Sequence, residues 1–528
     1  MRMIYHGGDI LTMEAEWGNA SPEAVLVEDS LIRFVGDLAA ARELAPDAEL
    51  RDLKGGCLLP GFIDPHSHIT ALGQTMNLAA LSDCGSIDEI ISRLSEHAKR
   101  HTHSREEWII GFSYDNNSIP GHVHPTREDL DRVSREQPVL ISHVSGHMGA
   151  VNSRALELLG INASTPDPEG GRIGRREGSM EPNGFLEESA FIQMTSSTPK
   201  PDLEQLLRQL DEAQNLYLSY GVTTAQDGMT NGAELSLLAA FAERGRLLLD
   251  VVGYIDYFRS AHLLAEHSGL AESYQNHLRL GGYKIFLDGS PQGRTAWMSR
   301  PYEGAEDGYC GYPVRSDAEV EEAIRAAQRD GVQLLAHCNG DAAAEQYIAA
   351  YGRFRDGQDL RPVIIHAQLL RRDQLPRVKE YGMIPSFFVA HTYYWGDIHL
   401  ENFGAGRANF ISPLRSAQQL GIPFTLHQDT PVIRPDMLET VWCAANRQTK
   451  SGRQLGPEEC ITPYEALKAV TINAAHQYHE ERRKGSLRAG KLADLAILDR
   501  SPLKTAPEEI RGIRVLEAIK EGKSVYRR

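Results

Sequence analysis

Eight apolar segments, most of them ending in a polar or glycine-rich turn, limit the folds open to this chain. They are GFIDPHSH, YGVTTAQDG, LLLDVVGYID, GGYKIFLDGS, GVQLLAHCNGD, RPVIIHAQLL, YGMIPSFFVAH and GIPFTLHQDTP. Between several of them lie stretches with helical spacing of apolar residues, such as SDAEVEEAIRAAQRD, DAAAEQYIAAYG and ISPLRSAQQL. Strands that are apolar throughout and alternate with helices predict a parallel sheet covered by helices, an α/β architecture. Eight of them predict a closed (β/α)8 barrel of the TIM type. A doubly wound open sheet is the alternative, but no phosphate-binding glycine fingerprint follows any strand.

The ends of the chain read differently. Residues 1–60 contain the short β-prone segments DILTM, AVLVED and LIRFVGD, and residues 481–528 contain KLADLAILD and IRVLEAIKEGKSVY. Both termini are therefore expected to build one small β-sandwich beside a barrel spanning 61–480. Between the first and second barrel strands, residues from about 75 to 215 are too many for one crossover. They are expected to form an inserted lobe over the barrel mouth, the face where ligand-binding insertions belong.

Composition excludes some functions. Acidic residues outnumber basic ones, 72 to 55, for a formal charge of −17, which argues against nucleic acid as a partner. No apolar run approaches a membrane span, and the N-terminus MRMIYHGGDILTMEAEWG lacks a signal-peptide core. The six cysteines are scattered without a CxxC pair and read as reduced thiols. These features together predict a soluble protein kept in the cytoplasm, with no membrane partner. Oligomeric state stays open, a closed homodimer being a common arrangement for soluble proteins.

The polar residues fall at particular places. His66 and His68 close strand one, Lys284 lies in strand four, His337 closes strand five, His366 closes strand six and Asp429 ends strand eight. A barrel gathers the carboxyl ends of its strands into one mouth. Imidazoles and carboxylates there suit zinc, with manganese, iron or cobalt as other possible occupants. In extended chain, His66 and His68 point the same way. Strand-end histidines also occur as hydrogen-bonded core residues, and the chain has two further His-x-His pairs, at 101–103 and 122–124, in polar surroundings. A buried Lys284 requires a partner, such as Asp288 or Asp227, or a modification.

With these residues in place, the chain resembles the amidohydrolase superfamily, and within it the branch of the N-substituted formamide deformylases. LPGFIDPHSH resembles the first-strand metal motif, YKIFLDGSPQGRTAW the lysine strand, LLAHCNGD and VIIHAQ the fifth and sixth strands, and LHQDTP the strand-eight aspartate. The insertion segments SGHMGAVNSRAL and EGSMEPNGFLEE and the tail AGKLADLAILD are similar to parts of that branch. The resemblance implies two zinc ions bridged by carboxylated Lys284, one with His66, His68 and Asp429, the other with His337 and His366. A mononuclear centre with an unmodified lysine is the alternative.

Hydrolysis of an amide, N-acyl or N-formyl bond of a small-molecule substrate by metal-activated hydroxide follows as the expected reaction. Asp429 is its expected proton carrier and His147 its expected donor to the developing oxyanion. Arg294, Trp297, His391, Tyr394 and Trp395 are expected to line the substrate pocket, with Tyr393 in the same aromatic cluster. SPQG stands where the branch usually carries a simpler loop, which bears on the substrate more than on the reaction. Deamination of an amidine or heterocyclic ring, or hydrolysis of an ester or lactone, would use the same centre. A serine hydrolase would need a GxSxG elbow, which the chain lacks, and the remaining alternative is a barrel that has lost catalysis.

Overall fold

The computed structural model describes residues 2–14, 21–76, 78–101, 104, 107–143, 148–191 and 201–528. Eight strands form one sheet whose spatial order is their chain order. Numbered along the chain they are β1 (Phe62–Ile63), β2 (Val222–Thr230), β3 (Asp250–Asp256), β4 (Leu278–Phe286), β5 (Gln333–Cys338), β6 (Val363–His366), β7 (Ile384–Phe387) and β8 (Thr425–Leu426). Every pairing in the sheet is parallel. The ring closes beyond its two shortest strands. His68 N–H donates to the Thr430 carbonyl at 2.8 Å, and Asp429 N–H donates to the His66 carbonyl at 3.3 Å.

The sequence placed His66 and His68 at the close of strand one and Asp429 at the end of strand eight. In the structure all three lie just past the strand ends. Pro65 explains the early stop of β1, since it has no amide hydrogen to continue the ladder. Along β3, β5, β6 and β7 every residue is buried, as expected for strands covered on both faces. The helix Asp317–Asp330 shows how local sequence sets the crossovers. Ser316 and Glu319 form a capping box at its start, and Gly331, at φ 66, ends it in the left-handed conformation.

Two smaller sheets come from the chain ends. One joins Leu31–Gly36, Ala24–Glu28, Arg2–His6 and Glu49–Asp52; the other joins Asp9–Ile10, Cys57–Pro60, Leu495–Leu498, Val515–Lys520 and Lys523–Arg527. Cys57–Pro60 runs antiparallel to Leu495–Leu498, which ties N-terminal chain to C-terminal chain. Tyr5, Val25, Ile32, Leu58, Leu495 and Ile519 share one apolar core between the two sheets.

A buried ionic hub fixes the last strands to the barrel. Asp250, at the start of β3, accepts from Lys484 at 2.5 Å, Lys520 at 2.8 Å and His277 at 2.8 Å. Lys520 also donates to Asp494 at 2.7 Å, and Lys484 pairs with Glu480 at 2.7 Å.

Residues 71–212 form a separate compact unit. Its six-stranded sheet runs in the order Gly171–Arg175, Pro182–Glu188, Met148–Val151, Val139–His143, Ile109–Tyr114 and Leu78–Ala80. His124, from the second of the extra His-x-His pairs, stacks on Phe185 with ring centroids 4.3 Å apart and lies 3.0 Å from the Tyr114 hydroxyl. Among the described residues, no helix is long and apolar enough to cross a membrane.

Candidate metal centre

The first two histidines are held by strand β2. His66 Nδ1 lies 2.6 Å from Gln226 Oε1, and His68 Nδ1 lies 2.7 Å from the Gly228 carbonyl. Gln226 uses its amide nitrogen on the Pro65 carbonyl and the Tyr478 hydroxyl, so its oxygen faces His66. A carbonyl and an amide oxygen only accept, so both imidazoles carry their proton on Nδ1. Gly228 permits this approach. A Cβ at that position would stand 3.0 Å from Cε1 of both rings.

The opposite nitrogens converge. Nε2 of His66 and Nε2 of His68 each lie 3.3 Å from Asp429 Oδ1, an atom with no hydrogen-bond partner. Nε2 of His366 lies 4.0 Å from Asp429 Oδ2. His66, His366 and Asp429 each offer one ligand atom within 4.8 Å of the others. Electron pairs that face one another with no proton between them repel. A divalent cation among them turns that repulsion into coordination, so the donor set fits one. His366 and Asp429 hold this arrangement from left-handed backbone, at φ 69 and 54, a conformation that side-chain-bearing residues adopt at a cost.

Electrostatics keep two of these rings in the bare form a ligand needs. Burial, and then the Lys284 charge, hold His66 well below its ordinary pKa; burial, and then His337, do the same for His366. Both are bare bases at neutral pH. Burial also lowers His68, but the neighbouring Asp429 carboxylate more than offsets this and raises it. Burial pushes Asp429 up, while His68 pulls it down further, leaving it ionised.

Lys284 projects from β4 into the same place, its Nζ 3.5 Å from His66 Nε2. Burial lowers its pKa to about 7. Neither carboxylate expected to pair with it does so. Asp288 accepts from the backbone amides of Trp297, Asn339 and Gly340, and Asp227 accepts from Thr70 and Thr230. The ring of His337 stands 4.5 Å from that of His366. Its Nδ1 is 3.2 Å from Asp288 Oδ1, and its Nε2 is 3.2 Å from the Asn339 side-chain amide.

The remaining expected residues are placed as follows. His147 lies outside the described residues. His391 packs on Phe388 and Trp395, with ring centroids 4.7 and 4.5 Å away, and its Nδ1 lies 3.0 Å from His399 Nε2. Phe388 in turn stands 6.1 Å from His366, which links this aromatic group to the centre. Tyr394 donates to Glu439 at 3.1 Å. Arg294 is committed to Asn402 and the Glu303 carbonyl, and Trp297 lines a groove with Asp317, Glu345, Arg371 and Arg377.

Sequence reasoning missed Gln226, Gly228 and His427, and gave Asp288 another role, as a partner of Lys284. Asp288 and His427 lie just past the C-terminal ends of β4 and β8, where the strand-end rule applies, whereas Gln226 and Gly228 lie within β2, which that rule does not reach.

A family model described as "Amidohydrolase family" matches residues 49–526. The chain belongs to the amidohydrolase family. It is a metal-dependent hydrolase acting on carbon–nitrogen bonds, within the branch that contains N-substituted formamide deformylase. This amidohydrolase is 30% identical to the N-substituted formamide deformylase of Arthrobacter pascens, over 98% of this chain and 97% of that one. It is 28% identical to the putative amidohydrolase YtcJ of Bacillus subtilis (strain 168), over 100% and 99% of the two chains. Among solved structures, an uncharacterized metal-dependent hydrolase from Pyrococcus furiosus superposes with a TM-score of 0.75 at 26% identity, covering 96% of this amidohydrolase and 100% of that chain.

Proposed function

We propose that this amidohydrolase cleaves an amide bond of a small N-acyl or N-formyl compound, giving a carboxylate and an amine. The observation that carries the proposal is the convergence of His66 Nε2 and His68 Nε2 on the unpartnered Asp429 Oδ1. The full-length similarity to a formamide deformylase supports an amide as the bond attacked. The donor set favours zinc. His66, His68 and Asp429 would hold one ion, His337 and His366 a second, and Lys284 as its carbamate would be shared between them. A carbamate also removes the cost of a buried, unpaired ammonium at Lys284. A cation held there supplies Lewis acidity to the substrate carbonyl and makes water a nucleophile near neutral pH.

The chain's own groups do the rest. Asp429, ionised and only 14% exposed, takes the proton of the attacking water and delivers it to the departing nitrogen. The Nδ1–H bonds to Gln226 and Gly228 keep His66 and His68 from rotating away. Phe388, His391 and Trp395 form the apolar side of the site, suited to an apolar or aromatic substituent. The same reading takes residues 1–60 and 481–528 as one β-sandwich on a barrel spanning 61–480, with about 75–215 as its insertion.

A panel of N-formyl and N-acyl amines, incubated with zinc-loaded protein, tests the reaction. Equimolar carboxylate and amine are expected. Ammonia released from amidines or heterocycles, with no cleavage of the amides, would replace this proposal with a deaminase.

A further inference from the structure

His427 has no assigned part in the centre, yet it is fully buried beside it. Both of its ring nitrogens are engaged. Nε2 lies 3.1 Å from Nδ1 of His366, and Nδ1 lies 2.9 Å from the hydroxyl of Ser386 on β7. The backbone amide of His427 donates to the Phe387 carbonyl at 3.2 Å, and its ring sits 5.2 Å from that of His66 and 5.3 Å from that of Phe388. The ring is therefore held from the backbone, from both nitrogens and from its faces.

A metal-binding histidine usually turns its second nitrogen to a carboxylate or a carbonyl, which can only accept. An imidazole partner is ambiguous, because it can accept or donate at the same atom. Two proton patterns satisfy the row Ser386–His427–His366. In the first, His366 Nδ1–H donates to His427 Nε2, His427 Nδ1–H donates to Ser386, and His366 Nε2 is bare. In the second, Ser386 donates to His427 Nδ1, His427 Nε2–H donates to His366 Nδ1, and the His366 proton sits on Nε2. Each imidazole carries one proton in both patterns. Only the first leaves His366 able to bind a cation.

We propose that His427 is a positioning residue which, with Ser386 as acceptor, holds His366 in its Nδ1–H form and so presents Nε2 to the metal. The proposal rests on the metal-centre reading above. It makes the hydrogen bond at Ser386, one residue removed from any ligand, part of the affinity of the centre.

Metal-free wild type, His427→Phe, His427→Gln and Ser386→Ala are titrated with cobalt(II), with affinity read by chelator competition and ligand geometry by the visible spectrum. His427→Phe is expected to bind about 10–100-fold more weakly, with an altered spectrum. His427→Gln, whose amide oxygen can accept from His366, is expected to recover most of that loss, and Ser386→Ala to fall between. Wild-type affinity and spectrum in a folded His427→Phe would overturn the role of His427 while leaving the proposed reaction intact. Wild-type protein that takes up no divalent ion would overturn both. Should His427→Phe fail to fold, imidazole nitrogen-15 NMR of zinc-loaded wild type decides. A proton on Nδ1 of both His366 and His427 supports the proposal, and a proton on His427 Nε2 overturns it.

Discussion

The amine of Lys284 stands 3.5 Å from Nε2 of His66, at 0% exposure. No carboxylate of the described residues lies within ion-pair distance of it. An unpaired ammonium in such a place is costly.

Carbamate formation consumes the neutral amine. Burial brings the Lys284 pKa down to about 7, so the reactive fraction grows as pH rises through that value. Reconstitution of metal-free protein should therefore depend on bicarbonate and proceed further at pH 8 than at about pH 6. Carbon-13 NMR after labelling with bicarbonate would show the carbamate directly, and Lys284→Ala should remove the signal. Full reconstitution of carbon-dioxide-free protein would contradict the carbamate.

If His68 is a ligand as proposed, protons compete with the metal for it. The Asp429 carboxylate raises the pKa of His68 despite its burial, so a proton replaces the cation on Nε2 as the solution is acidified. Bound metal, measured by equilibrium dialysis, should decline as pH falls from about 8 to 5, beginning above the ordinary histidine value of about 6.5. Asp429→Asn should weaken metal binding at every pH and lower kcat/KM by about 10²–10⁴-fold. A metal affinity that does not change across that range would remove His68 from the ligand set.

Gly228→Ala tests the spacing of the pair. Its Cβ would meet both imidazoles at 3.0 Å, so the rings must part by a few tenths of an ångström. Overpacking of this kind costs about 1–3 kcal/mol of stability. The larger expected effect is on metal affinity, a loss of about tenfold or more, because ligand geometry is displaced directly. Isothermal titration with zinc, set beside a denaturation curve, separates the two. Unchanged affinity would show that His66 and His68 do not act together.

Asp250 carries the stability of the join between barrel and terminal sheet. Replacing it with Asn leaves Lys484 with Glu480 and Lys520 with Asp494 as their remaining carboxylates, and should cost about 1.5–3 kcal/mol at neutral pH, read from urea unfolding. Burial alone would raise the Asp250 pKa, but the Lys484 and Lys520 charges hold it well below the ordinary 3.8. Its contribution is thus complete above that value and lost as pH falls from it toward the folded-state pKa. The variant should lack this part of the acid-induced loss. Equal acid sensitivity in both proteins would place the pH dependence elsewhere.

The barrel was legible in the sequence because burial on both faces leaves eight apolar runs whose polar residues can only gather at one end. His66, His68, Lys284, His337, His366 and Asp429 were singled out as candidates by that rule, since a strand-end position is a local property. Direction along a strand was legible; direction around the ring was not. Which nitrogen of His66 is bare depends on Gln226, over 150 residues away, and Gln226 is itself oriented by Tyr478. That Lys284 pairs with neither Asp288 nor Asp227 depends on backbone amides from Trp297, Asn339 and Gly340 and on Thr70 and Thr230. His427 was readable as one more histidine, but its row to Ser386 exists only because β6, β7 and β8 lie side by side. Apolar periodicity is written residue by residue, so the chain alone determined the layers and the face that carries the chemistry. Proton positions and charge pairing are set by atoms that only folding makes neighbours, and those the tertiary structure decided.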